Sequence, residues 1–189
     1  MPPRVKFSRE EIVAAAYELV RCEGGDALSA RSLASSLGVS TAPIFTAFES
    51  IGELTAAVLA RANATYEAYI SEGLKHPQAF KGAGLAHIRF AKEEPRLFRF
   101  MFIDHAEGVP FSHYLPGEGN TETRVRGAVE STHGFDTEKA KHIYNHLSVY
   151  VHGLAMLHAF EQPVFDDADI DKMLSEVFWA LKNYEEKEQ

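Results

Sequence analysis

Apolar positions recur along nearly the whole chain at three- and four-residue intervals. No stretch alternates with the two-residue period of a half-buried strand. The first helical stretch opens at Ser8, which with Glu11 has the Ser-x-x-Glu spacing of a capping box, and Phe7 and Ile12 are placed to staple across it. Ile12, Ala16, Leu19 and Val20 then mark one buried stripe, and Gly24-Gly25 stops the helix. Ser29 is placed to cap a short second helix that runs to Leu37, where Gly38 breaks it. Ser40 is placed to cap a third, with Pro43 in its first turn, where a missing N–H costs nothing. Ser50 and Glu53 repeat the capping-box spacing and open a long helix to about Lys75, ended by His76-Pro77. Further helices are predicted over residues 78–94, 95–104, 121–133, 137–161 and 169–187, with a Gly/Pro-rich loop over 105–120. The pattern predicts an all-α chain of about nine helices, with short helices over residues 1–50 and a larger helical body over 51–189.

Between Ser29 and Phe48 the spacing is that of a helix-turn-helix. Leu33, Leu37, Val39 and Ile44 fall where two short helices must share a small core. Ala34 is small where they approach closest, and Gly38 marks the sharp turn. A plain helical hairpin would use the same glycine for the same turn. The preceding helix, the two capping boxes and the Phe48–Leu54 junction favour the DNA-reading form, whose second helix enters the major groove.

Composition narrows the classes. Hydrophobic residues make up 46% of the 189 and charged residues 24%, the balance of a globular chain. No apolar run approaches the roughly 18 residues of a membrane span, and Met1–Lys6 lacks the apolar core of a signal peptide. The single cysteine, Cys22, permits no internal disulfide, which fits a reducing cytoplasm; on its apolar helix it reads as buried filler. A net charge of −8 argues against indiscriminate polyanion binding and confines any DNA contact to a local basic patch. There is no phosphate-cradling glycine loop, nucleophile elbow, zinc-protease His-Glu pair or close-set acid pair beside a base, so neither catalysis nor a cofactor is expected. His142 and His146, two of nine histidines, have a spacing that can hold a metal. No third ligand is identifiable, so no metal is expected and the pair reads as solvated or as part of a dimer face.

Residues 8–59 resemble the N-terminal domain of the TetR/AcrR family of one-component regulators. The resemblance rests on the opening helix with its Gly-Gly end, on Leu33-Ala34-Ser35-Ser36-Leu37-Gly38-Val39-Ser40, on the aromatic pair Phe45 and Phe48, and on the Ser-x-x-Glu-Leu start of the fourth helix. The remaining helices have the count and lengths of that family's effector domain. Val151-His152-Gly153 and the run from Phe90 to Phe98 are similar to one common subgroup. The resemblance implies a homodimeric, ligand-responsive transcriptional repressor that binds a palindromic double-stranded DNA operator and lets go when a small molecule fills a pocket in the effector domain.

Members of that family usually carry a basic residue or glycine near Thr41 and Ala42, a tyrosine at Phe45, a histidine at Ala47 and a lysine at Ile51. The last three usually give hydrogen bonds or charge to phosphate, and all three donors are absent here. Phosphate contact supplies register and most salt-dependent affinity, so the reading head is expected to be weak. What remains is a basic arm of Arg4, Lys6 and Arg9, together with Arg31 and the hydroxyls of Ser29, Ser40, Thr41 and Thr46. Ala42 and Phe45 complete the candidate DNA-binding set. Arg31 is either a phosphate contact or a solvated charge, and Thr41 and Thr46 either touch base edges or are merely exposed. The alternative is a helical interaction protein whose helix-turn-helix has lost its DNA role.

The pocket implied by the resemblance would draw on Phe90, Phe98, Met101, Phe102, Phe111, Tyr114 and Tyr144, with His87 and His152 among the polar groups able to orient a flat or greasy ligand. Most of these large side chains are also needed as core. On the last two helices, Ile143, Leu147, Tyr150, Leu154 and Leu157 form one stripe and Tyr144, Val151, Ala155 and His158 another. Ile170, Met173, Leu174, Val177, Phe178 and Leu181 repeat likewise. So wide an apolar surface predicts a four-helix bundle across a twofold axis, with Tyr150, Leu154, Leu157, Val177, Phe178 and Leu181 in the dimer interface. The other reading keeps both stripes inside one subunit.

Overall fold

The computed structural model describes residues 7–104, 120–162 and 165–185. The described residues form nine α-helices and no strand: α1 (Arg9–Glu23), α2 (Ala30–Leu37), α3 (Ala42–Ala47), α4 (Ile51–Gly73), α5 (Ala79–Glu93), α6 (Pro95–Arg99), α7 (Asn120–His133), α8 (Thr137–Ala159) and α9 (Asp167–Glu185). A tight turn over Gly25–Ala27 follows α1, and a wide π-type turn over Phe100–Asp104 extends α6. The Gly/Pro-rich loop expected after residue 104 lies outside the described residues.

Contacts gather the chain into two units, Met1–Thr65 with Arg96–His105, and Tyr66–Pro95 with Ala106–Gln189. α4 contributes the residues up to Thr65 to one and those from Tyr66 to the other, whereas the sequence pattern places the division where the short helices end. Arg96–His105 belongs by contact to the first unit, a placement that helix lengths do not reveal.

In the first unit the Ser8 capping box forms in full: Ser8 Oγ accepts from the Glu11 N–H at 3.2 Å, and the Glu11 carboxylate accepts from the Ser8 N–H at 2.7 Å. The helix so started buries Ile12, Ala16, Leu19 and Val20 as its period requires. Leu33, Ala34, Ile44, Phe48, Leu54 and Val58 complete the buried interior together with Leu97, Phe98 and Phe100. Gly25 is where the turn after α6 comes closest: a Cβ there would lie 2.9 Å from the Phe100 ring and 2.8 Å from an Asp104 carboxylate oxygen. Cys22 is exposed, not buried filler, because it falls two residues past Val20 and so off the buried stripe.

In the second unit α5 buries Ala83, Ala86, His87, Ile88, Phe90 and Ala91. α8 buries residues from both of its apolar stripes, including Ile143, Tyr144, Leu147, Val151, Leu154 and Ala155. Val129, Ala140, Ile143 and Leu147 form one apolar cluster, against which Val177, Phe178 and Leu181 pack partly buried. Of the residues expected between subunits, Leu154 is buried within one, while Tyr150, Leu157, Val177, Phe178 and Leu181 remain partly exposed. No helix among the described residues is long and apolar enough to cross a membrane.

Candidate nucleic-acid interface and effector cavity

The helix-turn-helix is built by local hydrogen bonds. Ser29 caps α2, its Oγ accepting from the Ser32 N–H at 3.1 Å. That same oxygen lies 2.8 Å from Ser32 Oγ, so the Ser29 hydroxyl is occupied within the fold. Gly38 ends α2 in the left-handed region (φ 67°), and the following N–H of Val39 donates to the Ala34 carbonyl at 3.0 Å. A side chain at Gly38 would meet open space, so the demand for glycine is one of backbone conformation alone.

α3 starts one residue later than the sequence implied. Thr41, not Ser40, occupies the cap position, and no side chain caps the helix. The reason is Pro43: at the second helical position it has no N–H to offer, and the Ile44 N–H is taken by the Thr41 carbonyl at 3.1 Å. From α3 the exposed side chains are Ala42, Phe45 and Thr46, while Ile44 is fully buried. Ser40 is exposed and Thr41 half-buried. Thr46 Oγ1 donates back to the Ala42 carbonyl at 2.8 Å. Arg31 is exposed in the first turn of α2. Arg4 and Lys6 lie outside the described residues.

Arg9, counted in the basic arm, is engaged in the fold. Its guanidinium donates to the Ala47 carbonyl at 2.6 Å and to the Glu53 carboxylate at 2.7 Å, and lies 4.0 Å from the centroid of the Phe48 ring. Ser50 Oγ accepts from the Glu53 N–H at 3.1 Å, but the Glu53 carboxylate reaches the Glu49 N–H instead of closing the box on Ser50. The bond from the Glu49 N–H, then that from Arg9, holds the Glu53 carboxyl below its ordinary range.

The second unit contains a cavity of about 90 Å³. Its walls include Ile70, Phe80, Val125, Leu147, Val151, Leu174, Phe178 and Trp179; Tyr144, Ser148 and Ser175 bring hydroxyls, and Lys81 brings a charge. Lys81 is held by Asp171 at 2.6 Å and Ser175 Oγ at 2.9 Å, with its side chain 16% exposed.

Of the residues expected at an effector site, Tyr144 lines this cavity. His87, Phe90 and His152 do not line it; they form a buried network in the same unit. The Tyr66 hydroxyl lies 3.0 Å from His87 Nδ1, and His87 Nε2 lies 3.3 Å from His152 Nδ1. The Phe90 ring meets Tyr66 and Tyr69 edge-on at 5.3 and 5.2 Å. Burial, followed by the neighbouring His152, pushes the His87 imidazole down to about 3, and burial also lowers His152. Phe98, Met101 and Phe102 belong by contact to the first unit and are not among the walls of this cavity. Phe111 and Tyr114 lie outside the described residues. The sequence reading does not single out the wall residues Phe80, Lys81, Leu174, Ser175 and Trp179; Lys81 is one of three cations on α5, with Arg89 and Lys92, and no local signal sets it apart. Tyr150 and Leu157 are half-buried on α8. The His142 and His146 rings lie 4.4 Å apart between centroids, tilted by 49°, and no group of three or more candidate ligands gathers among the described residues.

No protein-family model matches the chain, and no curated protein matches it in sequence. Solved structures do share the fold. A TetR-like transcriptional regulator from Rhodococcus sp. RHA1 is similar at a TM-score of 0.65 and 14% identity, over 95% of this chain and 96% of that one. A TetR variant from Acinetobacter baumannii AYE, in complex with minocycline, is similar at a TM-score of 0.57 and 20% identity, over 95% of this chain and 98% of that one. The chain has the fold of TetR-like transcriptional regulators.

Proposed function

We propose that the chain is a ligand-responsive DNA-binding regulator: a cytoplasmic homodimer that represses from a palindromic operator and is released by a small, largely apolar molecule. The observation that carries this reading is the pairing of a helix-turn-helix in one unit with an apolar-walled cavity in the other, on a fold shared end to end with TetR-like regulators. The chain passes between the units within α4 and again at Pro95–Arg96, so occupancy of the cavity has covalent routes to the reading head. Charged Lys81 beside apolar walls fits a greasy ligand that also carries an acidic group. Support for the dimer comes from apolar groups left outside the subunit's core. Val149, Phe160 and Trp179 are 51%, 47% and 51% exposed, and Gly153, on the same face of α8 as Val149 and Phe160, meets open space.

A footprint on the DNA upstream of the chain's own gene tests the proposal. The expected result is a protected, twofold-symmetric stretch whose half-sites lie about one helical turn or a multiple of it apart. A second reading, a helical interaction protein without a DNA role, is favoured by the net charge of −8 and by the engagement of Arg9 inside the fold. It predicts no protection at any salt concentration.

A further inference from the structure

We propose that α3 reads thymine through its 5-methyl group, so that the half-site is defined by thymines and not by the hydrogen-bonding patterns of guanine or adenine. The inference rests on the reading above, in which α3 enters the major groove. Its exposed face consists of Ala42, Phe45 and Thr46, at the three- and four-residue spacing of one helical side. These offer a methyl group, a phenyl ring that is 53% exposed, and a threonine. The Thr46 hydroxyl gives its proton to the Ala42 carbonyl, which leaves the Thr46 oxygen an acceptor and its methyl free to make apolar contact.

Direct readout of the other bases calls for groups this face lacks. Guanine is read by Arg or Lys on O6 and N7, adenine by Asn or Gln on N6 and N7, and cytosine by an acidic group accepting from N4. Residues 38–48 contain none of these side chains. Arg9, which approaches this segment at Ala47, has its guanidinium on the Ala47 carbonyl, the Phe48 ring and Glu53. Ser40 and Thr41 bring single hydroxyls, which bond to several base edges without choosing between them. The feature of the major groove that methyl and phenyl groups recognise is the thymine methyl. Phe45, flanked by Ala42 and Thr46, supplies the area against which that methyl is withdrawn from water.

The test uses the full chain. Duplexes that bind are selected from a random library, and the preferred one is resynthesised with uracil replacing each thymine in turn, which removes the methyl and leaves pairing unchanged. At each contacted thymine the affinity should fall about threefold to fourfold, the value of one buried methyl group. In Phe45→Ala, whose side chain is half out of the core, the uracil penalty at the thymine covered by Phe45 should vanish. A preferred site built on guanines, or one whose uracil forms all bind as tightly, overturns the inference and leaves DNA binding standing. Failure to bind any duplex overturns the DNA-reading proposal itself and this inference with it.

Discussion

Arg9 Nη2 donates to a Glu53 carboxylate oxygen at 2.7 Å, joining the first turns of α1 and α4 across 44 residues of chain. The same guanidinium holds the Ala47 carbonyl and covers the Phe48 ring, so one side chain fixes the junction that follows α3. The planar fork matters here, since a lysine ammonium can neither make both bonds in one plane nor lie flat on the ring. Arg9→Ala should lower the thermal unfolding midpoint and Arg9→Lys should recover little of it, as read by circular dichroism. Glu53 has its carboxyl lowered on folding. Its contribution is therefore present above the ordinary carboxylate range and is lost as pH falls through the lowered value. The gap between wild type and Arg9→Ala should narrow in acid, leaving the part that comes from the Ala47 carbonyl and the Phe48 ring. A gap that stays constant with pH would show that the ion pair is not its source.

Arg31 and Thr46 should separate affinity from sequence preference. Arg31→Ala should weaken binding to every duplex alike and flatten the log–log salt slope by about 0.9 for each bound chain, or about 1.8 for a dimer on one duplex. Thr46→Ala should change which sequences are preferred. Ile51→Lys, which places a cation at the start of α4, should steepen the slope by about the same amount. Salt-dependent anisotropy on two unrelated duplexes decides the matter: equal losses on both from Arg31→Ala and Thr46→Ala would mean the roles are wrongly assigned.

His87 is buried and neutral, and its pKa is about 3 against an ordinary 6.5. The unfolded chain takes up a proton below pH 6.5 that the folded chain refuses, so stability is fully present above that pH and falls as pH drops towards the folded value. At pH 5 this one group should cost about 2 kcal/mol relative to pH 7.5. Chemical unfolding at the two pH values should show a loss of that order in wild type. In His87→Gln, whose amide keeps a partner for the Tyr66 hydroxyl, the dependence should be smaller by a similar amount. An unchanged dependence would place the acid sensitivity elsewhere.

Trp179 is the chain's one tryptophan and it lines the cavity. Apolar ligands that enter should change its fluorescence saturably, and Trp179→Phe should abolish the signal while calorimetric binding persists. Lys81→Met should weaken ligands carrying a carboxylate about tenfold, or about 1.4 kcal/mol, and leave neutral analogues of the same shape unaffected. Equal effects on both ligand classes would mean that Lys81 acts only as a tie to Asp171 and Ser175.

The helices were legible because their signals are local. Ser8 with Glu11, Ser29 and Gly38 each act within four residues, and the structure uses all of them. Ser40 has the residue type of a cap but does not act as one, because Pro43 has no N–H for a serine at that position to accept from. The candidate sites were harder to read because tertiary contact decides them. Phe98, Met101 and Phe102 have the composition of a pocket wall, yet the chain gives them to the unit of the reading head, where Phe98 is fully buried. His87 looked like a ligand-orienting group, but its two ring nitrogens face Tyr66 and His152. Arg9 looked like a free cation because nothing in its neighbourhood along the chain announces Ala47, Phe48 and Glu53, which meet it only after folding.

The central claim is that α3 holds duplex DNA, and titration of the purified chain against its own upstream duplex at two salt concentrations tests it most directly. The account predicts saturable binding at two chains per duplex, with an affinity that falls measurably as salt rises. Absence of binding at the lower salt concentration, or binding indifferent to salt, would contradict it.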